Sequence, residues 1–333
     1  MHVSVIISTL YKRPEEFKEC LESIIEQTVR PTEVIIINGS FDGSWEAVNK
    51  EFKNIFKKMR DAGIAVKHIP LPGASLPHAR NTGAKLGKGD ILLFLDDDVV
   101  LERDYIKNLI KVYEEYPNAM GVQGFITNRI NPNNPLIRFS FLKFLWWLLQ
   151  RGYYEVNVHR QLPSLSEIIP YRVTRVITRE SLSGTNMSYL SGVFKDLKFD
   201  ERLKRYAIGE DKDFSYRVYK LFPASLYQTP HARLVHREAP TGRLSSKQFE
   251  TMKQVYHLYL FYKLFDQNTK NKVIYILGRM GDLLLHSILL VTSGFKKERA
   301  IKVIYMIEAM WLALSNRNRI KKGEINFWWD EVS

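Results

Sequence analysis

Three adjacent carboxylates, Asp96-Asp97-Asp98, follow directly on the apolar run Ile91 to Leu95. Ionised side by side at a strand end they repel one another, so a bound cation is the natural partner. In extended backbone Asp96 and Asp98 point to one side and Asp97 to the other, which lets one side face a hard divalent ion. The competing reading is an acidic helix N-cap cluster ahead of Leu101 to Tyr105, where the helix dipole favours Asp. A second acidic group, Glu210-Asp211, precedes Phe214, Val218 and Leu221, which recur at helical spacing. Asp211 then sits in a first helical turn at the edge of a buried face, a rigid place for a general base; an acidic turn stabilised by the dipole is again the alternative. Asp213 and Arg217 read as a helix surface pair. His236 and His231 each stand alone, and a lone histidine is as readily structural as functional.

Such groups need a scaffold, and the first hundred residues supply an alternation of strand and helix that implies a mostly parallel sheet. The strands are read at Val3 to Ile7, Val34 to Ile37, Ile64 to Ile69 and Ile91 to Leu95. Phe17, Leu21, Ile24 and Ile25 mark a helix that starts near Pro14. The turn from Asn38 to Ser44 leads to a helix from Trp45 to Met59, and a further helix, Arg103 to Tyr116, leads to a strand at Met120 to Ile126. In open α/β sheets the ligand crevice lies beyond the carboxyl ends of the strands, where the Asp triplet falls. A boundary near Pro240 divides the chain into residues 1–240, the catalytic domain, and 241–333, a helical region.

The chain has 333 residues, a formal charge of +13 and 45% hydrophobic residues, enough for a packed core and an appended element. The basic balance points to anionic partners rather than to any fold. Cys20 is the only cysteine and reads as a core thiol. Met1-His2 run straight into a strand without a secretory leader, so a cytoplasmic protein is expected. A spanning helix needs about 18 or more apolar residues; Leu283 to Phe295 is bounded by Asp282 and Lys296, so none is expected.

Taken in order, Val5 to Thr9, Leu21 to Thr28, Ile35 to Gly43, Ala79 to Gly83, Gly89 to Asp98, Ser183 to Ser188, Phe199 to Leu203 and Gly209 to Arg217 resemble glycosyltransferase family 2 over about residues 3 to 237. The resemblance implies an α/β GT-A fold, a Rossmann-like mixed sheet flanked by helices, with a C-terminal helical extension. It also implies inverting transfer of a single sugar from a nucleoside diphosphate sugar, with Mn or Mg as cofactor. Family-like roles give Asp96 and Asp97, with Ser8, Thr9, Tyr11, Asn38, Asp42 and Arg80, to the donor. They give Asp98, Asp96 and His236 to the metal, Asp211 to the base, and Gly184, Thr185, Asn186 and Glu210 to the acceptor. One departure is plain. The family's acidic residue at the end of the second strand is absent, so Asn38 or Asp42 takes its place and a uridine donor is only favoured. Thr9 and Asn38 fit equally as strand-end residues satisfying backbone groups, and Gly184 to Asn186 as ordinary turn residues.

The acceptor expected is a carbohydrate or lipid-linked glycan. From Pro240 to the end, 15 Lys and Arg stand against 8 Asp and Glu among apolar helical runs. That segment, with Phe139 to Leu149, could lie on the inner face of an anionic membrane or be buried in the protein or a homodimer. The Gln-x-x-Arg-Trp signature of processive synthases is absent, so one sugar per encounter is expected. A nucleotidylyltransferase would open with a Gly-rich loop where Ser8 to Tyr11 stand. A non-catalytic binding module would not need Asp96, Asp98 and Asp211 together. No nucleic-acid motif accompanies the positive charge.

Overall fold

The computed structural model describes residues 1–40, 50–129, 145–149, 153–238 and 244–329. Strand β1, Val3–Thr9, reads VSVIIST and is buried on both faces, as a central parallel strand must be. It pairs in parallel with β2, Glu33–Asn38, and with β4, Ile91–Leu95, while β2 pairs in parallel with β3, Ala65–Pro70. Helix α1, Pro14–Ile25, has Pro at its start, Glu15 and Glu16 in its first turn, and buries Phe17, Cys20, Leu21 and Ile24. Helices α2, Lys53–Asp61, and α3, Leu76–Leu86, complete this half. Gly83 on α3 lies where a Cβ would come within 2.3 Å of Ile6, so its lack of a side chain sets how closely α3 packs on β1.

Directly after the Asp triplet comes β5, Val99–Leu101, and only then α4, Tyr105–Glu115. The triplet is therefore the joint between two strands, and the helix N-cap reading does not apply. Strand β6, Gly121–Ile126, follows. Tyr154–Val156, Arg160–Gln161 and Glu167–Arg172 (β7 to β9) form a separate three-stranded sheet. Then come β10, Ile177–Arg179, and β11, Met187–Leu190, which inserts antiparallel between β4 and β6. Helices α5, Val193–Asp196, and α6, Glu210–Leu221, precede β12, Leu226–His236, which is parallel to β6 and antiparallel to β5. The nine-stranded mixed sheet thus runs β10-β12-β6-β11-β4-β1-β2-β3 with β5 on β12.

Alternation along the strands feeds two cores. Val5, Ile7, Val34, Ile36 and Leu93 pack with Phe17, Leu21 and Ile24 on one face. Ile6, Ile35, Leu92 and Phe94 pack with Phe199, Phe214 and Val218 on the other, where the Phe199 and Phe214 rings stack at 4.1 Å. Leu221, the last residue of α6, is 56% exposed and does not extend that stripe. Asp213 is not a surface residue: it is fully buried and accepts from Arg217 at 2.7 Å.

The chain divides into two compact units: Met1–Asn131 with Arg172–Glu201 and Glu210–Gly242, and Pro132–Tyr171 with Arg202–Gly209 and Arg243–Ser333. The second contains α7, Ser246–Leu264, opened by a capping box between Ser245 and Gln248. Helices α8, Thr269–Thr292, α9, Lys297–Ser315, and α10, Arg317–Lys321, follow. By length and composition α8 is long and apolar enough to cross a membrane. The expected break at Asp282 does not occur, because that carboxylate is buried against Arg279 (3.2 Å) and Lys253 (3.4 Å) and does not interrupt the apolar surface. The stretch expected from Phe139 to Leu149 lies largely outside the described residues, as does Asp42.

Candidate active site

Four elements bring charge to one edge of the sheet. Asp96 to Asp98 leave the end of β4, His236 ends β12, Arg80 stands on α3, and Glu210-Asp211 opens α6. The strand order explains the meeting: β12 runs beside β5, so His236 is registered against Val99, next to Asp98. His236 Nε2 lies 3.1 Å from Asp98 Oδ1. Ligand atoms of Asp96, Asp98 and His236 lie within 4.8 Å of one another.

Asp97 turns elsewhere. It accepts from the Thr9 hydroxyl at 2.6 Å, and Thr9 in turn accepts from the Tyr11 amide at 2.9 Å. Thr9 therefore satisfies a backbone group and a carboxylate at once. Tyr11 holds a φ of 55° in the left-handed region, and its hydroxyl donates to Glu51. Asn38 ends β2 buried, with its Oδ1 accepting from the Ser40 amide at 3.0 Å and hydroxyl at 2.6 Å. Among the described residues, its Nδ2 and the Ser8 hydroxyl are buried without a protein partner.

Arg80 links Asp96 to the turn at Gly184 and to the start of α6. Its guanidinium is buried, donates to Glu210, to the Gly184 carbonyl at 2.8 Å and to Asp96 at 3.4 Å. Gly184 donates its amide to Asp211 Oδ2 at 2.9 Å, and the Lys212 amide donates to Oδ1 at 2.8 Å. A Cβ on Gly184 would stand 3.0 Å from Arg80 and 3.3 Å from Asp211, so a side chain here would press on both. Glu210, expected on the acceptor side, is buried with one oxygen on Arg80 and the other without a partner among the described residues. Thr185 and Asn186 are buried on the same turn, and the Asn186 side-chain amide has no protein partner among the described residues.

Burial governs the electrostatics. It pushes Asp97 up to about 6, partly offset by Thr9 and Arg13. Burial also raises Asp96, against the pull of Arg80 and His236. Burial would lower His236, but its hydrogen bond to Asp98 and the charges of Asp98 and Asp96 outweigh that and hold it above its ordinary value. Desolvation, not the absence of cations, is therefore what raises Asp96 and Asp97, since Arg13, Arg80 and His236 all stand against the cluster. Two carboxylates and an imidazole at this separation are a donor set suited to Mn or Mg.

Arg13 was not singled out from sequence. It precedes α1 and donates to Asp98 at 2.6 Å and Asp97 at 3.5 Å, spanning 85 positions of chain. Only the basic residue in Lys12-Arg13-Pro14 after the first strand could have signalled it. Cys20 is fully buried, its thiol pushed up by burial, as a core residue should be.

The sequence profile described as Glycosyl transferase family 2 matches residues 4–176. A glucosyl-dolichyl phosphate glucuronosyltransferase of Haloferax volcanii is 32% identical over 159 residues, which cover 46% of this chain and 48% of that protein. The chain spans about half or less of the length of the first curated relatives it matches. Among solved structures, GalNAc-T7 with UDP, GalNAc and Mn2+ gives a TM-score of 0.56 at 17% identity, covering 82% of this chain and 53% of that one. The mannosyltransferase PcManGT from Pyrobaculum calidifontis with GDP-Man and Mn2+ gives 0.55 at 16%, covering 94% and 87%. At these identities the likeness is one of fold, and the fold is GT-A.

Proposed function

The chain belongs to glycosyl transferase family 2, and on that premise we propose that it is an inverting, metal-dependent glycosyltransferase. It moves one sugar from a nucleoside diphosphate sugar, UDP first among the donors to test, to an acceptor hydroxyl. The observation that carries this reading is the convergence of Asp96, Asp98 and His236 within 4.8 Å, with Asp211 tied to the same Arg80–Gly184 bridge.

Asp98, Asp96 and His236 would hold Mn or Mg, which when bound supplies Lewis-acid stabilisation of the departing diphosphate. Thr9, Tyr11, Asn38 and Asp97 line the strand ends on the donor side. Arg80 adds a fixed positive charge beside Asp96. Asp211 takes the proton from the acceptor hydroxyl as that oxygen bonds to the anomeric carbon and the bond from carbon to phosphate oxygen breaks on the opposite face. The two backbone amides on Asp211 fix its direction without neutralising it. The turn at Gly184, Thr185 and Asn186 sits on the acceptor side of that base. A lipid-linked acceptor, such as the dolichyl phosphate named for the Haloferax relative, is the first class to test.

The test is release of nucleoside diphosphate from a panel of sugar donors with Mn or Mg and lipid-linked or soluble glycan acceptors. Turnover with one donor, lost on chelation, is the expected result. Absence of turnover with every donor, while the protein stays folded, would count against the assignment.

A further inference from the structure

Helix α8 leaves an aliphatic stripe uncovered. Val273, Ile276, Met280, Leu284, Ile288 and Val291 are exposed along it at successive turns. They lie opposite Tyr275, Arg279 and Asp282, which face inward. Between Lys272 and Lys296 the only charged side chains of the formal count are Arg279 and Asp282, and both are buried. The exposed side is therefore free of charge for more than five turns. The stripe ends on Phe295, 68% exposed in the connection to α9. Helix α9 repeats the pattern with Ile304, Ile307, Trp311 and Leu314, of which Trp311 is 70% exposed.

Charge flanks this surface at both ends. Phe295 is followed at once by the exposed Lys296, Lys297 and Arg299, and Leu314 by the exposed Arg317, Arg319, Lys321 and Lys322. Glu298 and Glu308 are the acidic exceptions on α9. An aliphatic stripe bordered by basic residues matches the layering of a bilayer interface, acyl chains beneath anionic headgroups. Contiguous exposed apolar surface of this kind is uncommon on a soluble monomer and marks an interaction site.

We propose that the α8 and α9 faces are a peripheral membrane-binding surface whose partner is an anionic phospholipid bilayer, on which the helices lie rather than cross. One observation argues for lying flat. Arg279 is held in the second unit by His257 at 3.0 Å and the Ser164 carbonyl at 2.7 Å, and Asp282 by Lys253, so one side of α8 is committed to protein. The proposal is independent of the reaction assigned above.

The test is co-sedimentation of the full chain with vesicles of phosphatidylcholine alone or mixed with phosphatidylglycerol. Wild type should pellet with the mixed vesicles, about tenfold or more above phosphatidylcholine alone, and bind less at about 0.5 M salt. Met280→Glu with Ile288→Glu should abolish pelleting without lowering the melting temperature, since both side chains are exposed. Lys296→Glu with Lys297→Glu should reduce it while leaving the apolar stripe intact. Wild type remaining in the supernatant with both vesicle types would overturn the proposal. So would a lipid-free dimer that the Met280→Glu, Ile288→Glu variant dissociates, because the stripe would then be a contact between two copies. Retention in membranes after alkaline carbonate extraction would overturn it in favour of a crossing helix.

Discussion

The sheet edge around Asp98 and the outer face of α8 are both costly for a folded chain, in opposite ways. The first gathers carboxylates in a partly buried place, with Asp96 and Asp97 raised by their desolvation there. The second leaves Val273, Met280, Leu284 and Val291 in water. Neither arrangement improves folding, since burying charge and exposing aliphatic surface both oppose it. The comparison teaches that each region is one where folding alone gains nothing, and each is where a partner from outside the chain is proposed, a cation with a diphosphate in one case and a lipid surface in the other. A third buried charge finds its partners within the protein. Glu33 would be raised by burial, but Lys67, Ser4 and the Lys88 amide, all at 2.6 Å, hold it below its ordinary value.

The largest effect should come at the proposed base, Asp211. Asp211→Asn is expected to lower turnover by about 10²- to 10⁴-fold, while stabilisation by nucleoside diphosphate and Mn in thermal-shift assays is retained; equal loss of both would make Asp211 part of the donor site instead. Gly184→Ala forces a Cβ between Arg80 and Asp211, so turnover should fall by roughly ten- to a hundredfold, with Mn affinity little changed in the same titration.

Asp97 sharpens the contrast through pH. Its folded value of about 6 lies above the reference of 3.8, so the ionised group costs stability above about pH 6 and that cost is relieved as pH falls through 6 toward 4. Metal-free protein should therefore melt higher near pH 5.5 than at pH 7, and Asp97→Asn should raise the melting temperature at pH 7 and flatten that rise. Glu33 has the opposite sign: its contribution is present above the unfolded value and lost as pH falls through its lower folded value. Glu33→Gln should accordingly weaken the protein at neutral pH and reduce the dependence of stability on acid. The smallest effect is expected on the aliphatic face, where Met280→Ser should change stability by no more than about 0.5 kcal/mol in denaturant titration.

Much of the fold was legible because its signals are local. Ile91 to Leu95 is read as a strand and observed with the same ends, and Pro14 opens α1 as its position implies. The alternation that separates Asp97 from Asp96 and Asp98 is likewise a property of neighbouring residues. The contacts that were not legible join distant ones. Nothing near Arg13 announces its partner Asp98, and nothing near Glu210 announces Arg80, because strand order alone brings them together. Asp213 and Asp282 mislead for one reason: a charge in sequence reads as surface or as a break, whereas Arg217 and Arg279 allow each to be buried. The strand β5 after the triplet is three residues long, too short for periodicity to distinguish it from a helix start.

The central claim is that Asp96, Asp98 and His236 grip the cation through which a nucleoside diphosphate binds. Mn2+ uptake followed by electron paramagnetic resonance, with UDP and with GDP, tests it most directly on wild type and on Asp98→Asn combined with His236→Ala. The expected result is nucleotide-dependent uptake by wild type that weakens by about tenfold or more in the variant. Uptake of equal strength in both proteins would contradict the account.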